Sequence, residues 1–158
     1  MGNNKELPLR IGVGIILLNQ ENNVFVGKRI DNPKNSWQMP QGGVNQNEKF
    51  LQAAKRELEE ETGIKSVKLI KELDGWFKYD LPKYLLGKLW KGKYRGQKQK
   101  WFVMKFLGKL GEINVKTKNP EFFEWKWIEL SKLPEIAVHF KIDIYRKIKE
   151  ELTSLSLN

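Results

Sequence analysis

Apolar positions along the chain follow two periods, and these divide it into strands and two helices. Residues 11 to 18, IGVGIILL, form a dense β-branched run that predicts a buried strand, with Gly12 and Gly14 admitting a close neighbour. Asn19 to Asn23 is a polar turn and Val24 to Ile30 alternates, so the two segments predict a hairpin. Further strands are predicted over Val67 to Leu73, Gly75 to Asp80, Gln99 to Phe106 and Phe122 to Ile128, with a helical turn over Leu130 to Glu135. The period lengthens to that of a helix in two places. Phe140, Ile144, Ile148 and Leu152 recur at steps of four within Val138 to Leu152. Leu51, Ala54 and Leu58 make one stripe in a helix expected to begin with Asn45 as N-cap, with Glu48 three residues on, and to stop at Gly63. Asp31 to Ser36 and residues 108 to 118 read as polar turns, and Leu85 to Gly96 has no clear period.

Composition adds limits. A chain of 158 residues is expected to be one domain, with residues 1 to 8 and 153 to 158 fraying. No apolar run approaches the roughly 18 residues of a membrane span, and MGNNKELPLR lacks the apolar core of a signal peptide, so no membrane partner is expected. Without cysteine, disulfide and thiol chemistry are excluded and a reducing cytoplasm is the expected home. The net charge of +10 suits a phosphate-bearing partner, but it comes from 24 lysines and only five arginines, a bias that an AT-rich genome also produces. In Leu85 to Gly96, LLGKLWKGKYRG, basic residues interleave with Trp90 and Tyr94; this suits a nucleotide or RNA surface as well as a solvated loop.

Candidate chemistry concentrates on the first helix. Glu57, Glu60 and Glu61 lie at i, i+3 and i+4, so three like charges share one face at the end where the helix dipole is already negative. Local helix physics disfavours this. The compensation that accounts for it is a hard divalent cation with oxygen ligands, Mg²⁺ or Mn²⁺; the alternative is a solvated acidic face. Trp37, in the segment WQMPQGG, serves either core packing or the stacking of a nucleobase.

The spacing is more specific. Gly42, five residues, Glu48, seven residues, Arg56-Glu57-Leu58, one residue, Glu60-Glu61, one residue and Gly63-Ile64 match every fixed position of the signature of the Nudix hydrolases, and the chain resembles that family. The resemblance implies an α/β (α+β) Nudix fold, a mixed β-sheet sandwiched between helices with a loop–helix–loop motif. It implies hydrolysis of a phosphoric anhydride with Mg²⁺ as cofactor, Mn²⁺ or another divalent ion substituting, and nothing else bound. The catalytic set is Glu57, Glu60 and Glu61. These three, with Glu121 and Gly42, hold the metal; Gly42, Glu48, Arg56 and Gly63 are structural, Arg56 through an ion pair.

Outside this box SWQMPQGG, WFKYDLPK, YRGQKQKWF, NPEFFEWKW and VHFKIDIYRKI are similar in order and spacing to one Nudix subgroup, the bacterial RNA 5′-pyrophosphohydrolases and related dinucleoside polyphosphate hydrolases, and look most like its alphaproteobacterial branch. By that likeness Arg10, Arg29, Ser36, Trp37, Tyr79, Lys83, Gln97, Val138 and Phe140 bind substrate, and Arg29 and Phe140 sandwich a base. The expected partner of this monomer is an RNA 5′ end, or a dinucleoside polyphosphate. Water would attack phosphorus with a box glutamate as base, Glu57 ahead of Glu61. His139, the one histidine, is a poor candidate for that role.

Overall fold

The computed structural model describes residues 7–31 and 36–155; the predicted loop over Asp31 to Ser36 is therefore described only at its ends. Eight strands form one mixed sheet: β1 (Leu9–Leu18), β2 (Val24–Arg29), β3 (Trp37–Gln38), β4 (Gln41–Gly43), β5 (Val67–Glu72), β6 (Phe77–Asp80), β7 (Gly96–Phe106) and β8 (Phe122–Ile128). The helices are α1 (Phe50–Thr62), the short α2 (Leu133–Ile136) and α3 (Ile142–Thr153). The main path runs β3-β2-β1-β7-β5, with β4 joined to β1, β6 to β7 and β8 to β2. β1 and β7 lie parallel from Leu9↔Gly96 to Leu18↔Lys105. A central parallel pair is covered on both faces, which is why β1 reads as an unbroken apolar run.

Alternation along β1 builds the two cores. Val13, Ile15 and Leu17 pack with Ala53, Ala54 and Leu58 of α1, while Ile16 and Leu18 pack with Trp101 of β7 and Tyr145 and Ile148 of α3. The sheet is thus sandwiched between α1 and α3, as expected. The close neighbour expected at Gly14 is the Trp101 indole, which a Cβ there would meet at 2.5 Å.

Several expectations need correction. β1 and β2 meet only at Leu18↔Val24 and then diverge; the rest of β2 pairs with β8 and β3, and β4 takes the open edge of β1 at Gly12↔Gly43. The predicted hairpin is a fork. α1 begins at Phe50 and not beside Asn45, because Asn45 to Glu48 is tied in its own turn: the Glu48 N–H donates to the Asn45 carbonyl (3.0 Å) and the Asn45 N–H to the Glu48 carboxylate (2.9 Å). Gly63 closes the helix as expected, its N–H donating to the Glu59 carbonyl. At the other end of the chain 139–141 is a 3-10 turn, so Phe140 leaves the apolar stripe of α3. Within 108–118 Ile113 and Val115 are buried. Residues 1–6 and 156–158 lie outside the described residues, but Leu7 and Pro8 are tied down, their carbonyls accepting from Arg95 side-chain and backbone N–H groups. Among the described residues no helix is long and apolar enough to cross a membrane.

Candidate active site

The fork between β1 and β2 opens onto a cavity of about 810 Å³ lined from both sides of the sheet. α1 contributes Glu57 and Glu61, β4 with its approach Gln38, Gln41 and Gly42, β1 and β2 Arg10 and Arg29, and the turn before α3 Val138, Phe140 and Lys141. Glu121, at the start of β8, completes the acidic side. Arg10, Gly43 and Glu57 also line a smaller neighbouring cavity of about 380 Å³ that includes Tyr94.

Arg56 sets the position of the carboxylates. All five of its N–H groups are used: Nε and one Nη2 hydrogen on Glu48 (2.7 and 3.0 Å), the other on the Gly43 carbonyl (2.9 Å), and Nη1 on Glu57 (2.9 Å) and Glu60 (3.1 Å). One guanidinium thus ties α1 to the turn before it and to β4, and its charge offsets the repulsion that made the sequence look unfavourable. The invariant space at position 42 has an equally plain cause: a Cβ on Gly42 would sit 2.0 Å from the Glu57 carboxyl carbon.

The two carboxylates facing the cavity differ. Burial raises the Glu57 carboxyl above its ordinary value, against the lowering effect of Arg56. Glu61 is only 4 % exposed, and its Oε2 has no hydrogen-bond partner. Burial, then the charges of Glu57 and Glu121, push its carboxyl well above the usual range. Glu60 turns out to the more exposed side of α1, on Arg56, and does not line the cavity.

Opposite stand the cationic and aromatic groups. Arg29 forms a bidentate pair with Asp31 (2.7 and 2.6 Å) and lies 3.7 Å from Glu121. Arg10 packs over the Trp90 ring at 5.3 Å. Tyr79 accepts from Gln97 (3.0 Å), burial pushes its hydroxyl up to about 12, and its ring is 5.7 Å from that of Phe140. Ser36 and Trp37 line the same cavity, so Trp37 does both things the sequence left open, packing on the α3-side core with its edge in the site. Lys83 is the exception: it is exposed on a 3-10 turn outside the lining, and the neighbouring Tyr84 and Leu85 take its place.

The residue that sequence reasoning missed is Lys141. It is 7 % exposed, its Nζ donates to the Gln38 side-chain oxygen (3.2 Å), and burial, helped by Arg29, lowers it from 10.5 to about 7. The unfolded chain therefore binds this proton over a pH range in which the folded chain has released it, so stability should rise with pH between about 7 and 10. Lys141→Met should flatten that part of the profile in chemical denaturation; parallel stability–pH curves for the two proteins would contradict the burial argument.

The donors suit a hard divalent cation, since they are carboxylate oxygens and one is buried without a partner. Among the described residues, no three His, Cys, Asp or Glu side chains stand close enough to hold one ion together.

A sequence model of the NUDIX domain matches residues 8–150. The chain belongs to the Nudix family. Its Nudix relatives include a protein of Pelagibacter ubique named RNA pyrophosphohydrolase, 61 % identical over 98 % of this chain and 99 % of its own length. Another of that name, from Rickettsia canadensis, is 47 % identical over 95 % of this chain and 93 % of its own. Among solved structures, the E. coli dihydroneopterin triphosphate pyrophosphohydrolase (TM-score 0.69, 20 % identical, 92 % of this chain and 97 % of that one) and a C. elegans Ap4A hydrolase complex (TM-score 0.62, 20 % identical, 91 % and 99 %) share the Nudix fold.

Proposed function

We propose that this Nudix hydrolase converts 5′-triphosphate RNA to 5′-monophosphate RNA, releasing pyrophosphate or two successive orthophosphates, and so exposes the 5′ end to later nuclease attack in the cytoplasm. The observation that carries the proposal is the 61 % identity, over 98 % of the chain, to a relative named for that reaction. The cavity supports it, because an acidic cluster faces cationic and aromatic groups across a space large enough for a nucleotide and its phosphates.

In this proposal Glu57, Glu61 and Glu121, with Glu60 at the edge and the Gly42 segment behind them, hold divalent ions, Mg²⁺ first. When bound, such ions neutralise phosphate oxygens and acidify the attacking water. The chain's own groups do the rest. Arg10, Lys141 and Gln97 hold the phosphates, Tyr79 and Ser36 fix their orientation, and Arg29 and Phe140 enclose the base without reading its edge. Glu57 accepts the proton of the attacking water: one of its oxygens is engaged by Arg56, it stands where the two cavities adjoin, and burial has raised its basicity.

Dinucleoside polyphosphates are the competing substrate, since the same groups would grip them. The test is kcat/KM for a 5′-triphosphate RNA against diadenosine tetraphosphate in one Mg²⁺ buffer. The proposal expects a preference for RNA of about a hundredfold, roughly 2.7 kcal/mol of transition-state binding beyond the first nucleotide. A preference for the dinucleotide would make this a nucleotide-pool hydrolase.

A further inference from the structure

Beside the cavity, on the α3 face, a patch of charge and aromatic rings is explained neither by the fold nor by the groups that meet the phosphates. Val26 packs into the α3-side core, and alternation puts Lys28 on the same face two residues on. Trp37 lies across from Lys28 in β3, and Lys126 lies across from Val26 in β8. The ammonium of Lys126 sits 4.1 Å from the Trp37 ring centroid, and that of Lys28 is 5.7 Å from both the Trp37 and the Phe123 rings. Phe123 is 42 % exposed. Among the described residues neither lysine pairs with a carboxylate. Two ammonium groups are thus held on aromatic rings at the surface with their charge left uncompensated.

That is the chemistry of a surface for single-stranded nucleic acid, where cations take phosphates and rings take bases of any sequence. The patch is also continuous with the site, because Trp37 lines the cavity. We propose that Lys28, Lys126 and Phe123 form a track for the RNA that follows the first nucleotides, with the outer part of Trp37 as its first step. Lys28 and Lys126 take backbone phosphates and Phe123 carries a base. This rests on the RNA reading of the active site given above.

The test compares a 5′-triphosphate dinucleotide with a 5′-triphosphate RNA of about eight nucleotides, long enough to reach past the cavity. The double variant Lys28→Ala, Lys126→Ala is set against Lys98→Ala, Lys100→Ala, which removes the same charge from the α1 face, where both lysines flank Trp76. The track variant should lower kcat/KM on the longer RNA about tenfold and leave the dinucleotide within about twofold, which also shows that the variant is folded. The slope of log kcat/KM against log salt for the longer RNA should shrink by about one. Phe123→Ala should lower the rate on the longer RNA and leave that slope unchanged. The α1-face variant should match wild type on both substrates. An unaffected longer RNA, an equal loss on the dinucleotide, or an equal loss in the α1-face variant would each overturn the track while leaving the RNA reading standing. A wild-type protein that hydrolyses diadenosine tetraphosphate and neither RNA would overturn that reading and the track together.

Discussion

Glu61→Gln is expected to abolish turnover, by about a thousandfold or more, while leaving the metal-free protein at least as stable as wild type. The two effects have one cause. Glu61 is buried with an oxygen that finds no partner, and burial with two neighbouring carboxylates raises its proton affinity well above that of an exposed glutamate. A group whose folded value is raised contributes stability below its unfolded value, near 4.5, and loses that contribution as pH climbs through the folded value. In chelator, wild type should therefore weaken from pH 5 upward more steeply than the glutamine variant, whose neutral amide has the same shape and no charge to bury. Denaturation curves at several pH values and a turnover assay check both halves. A variant that is inactive because it is less stable at pH 8 would show that Glu61 is structural.

Arg56→Lys should cost about 3 kcal/mol and lower kcat/KM about a hundredfold, although the charge is kept. Five N–H groups in a planar fork reach Glu48, Glu57, Glu60 and the Gly43 carbonyl at once; one ammonium cannot. Glu57 would then be free to leave the space beside Gly42. The contrast is Glu60→Gln, which removes one half-exposed contact and should change stability by no more than about 0.5 kcal/mol. Its activity should still fall, since the proposal gives Glu60 a share in holding the ion. Thermal unfolding of the two variants separates the cases: a lysine variant as stable as wild type would remove Arg56 from its central place.

Which parts of this were legible in the sequence follows from the range of the forces involved. The stripe of α1, its stop at Gly63 and its three glutamates are local, so spacing alone disclosed them. β1, β7 and β8 were legible as elements for the same reason, but their partners were not. Nothing in the alternation of Val24 to Ile30 tells whether β2 lies beside β1 or beside β8, and the structure chooses β8, which is how the fork and its cavity arise. Glu48 is a similar case, since the spacing that suggested a cap instead closes a turn and anchors Arg56. Lys141 was invisible among 24 lysines, because its place next to Gln38 depends on the 3-10 turn that tips it and Phe140 out of the helix register. Lys83 is the converse, a basic residue in a suggestive stretch that the chain leaves at the surface.

The most direct test of the central claim follows the 5′ end itself. End-labelled 5′-triphosphate RNA is incubated in Mg²⁺ with wild type, with Glu57→Gln, and with wild type in excess chelator, and the products are separated. The account predicts 5′-monophosphate RNA with pyrophosphate or orthophosphate from wild type alone. Monophosphate formed at an undiminished rate by Glu57→Gln or in chelator, or untouched RNA in a reaction where the same wild-type sample consumes diadenosine tetraphosphate, would contradict it.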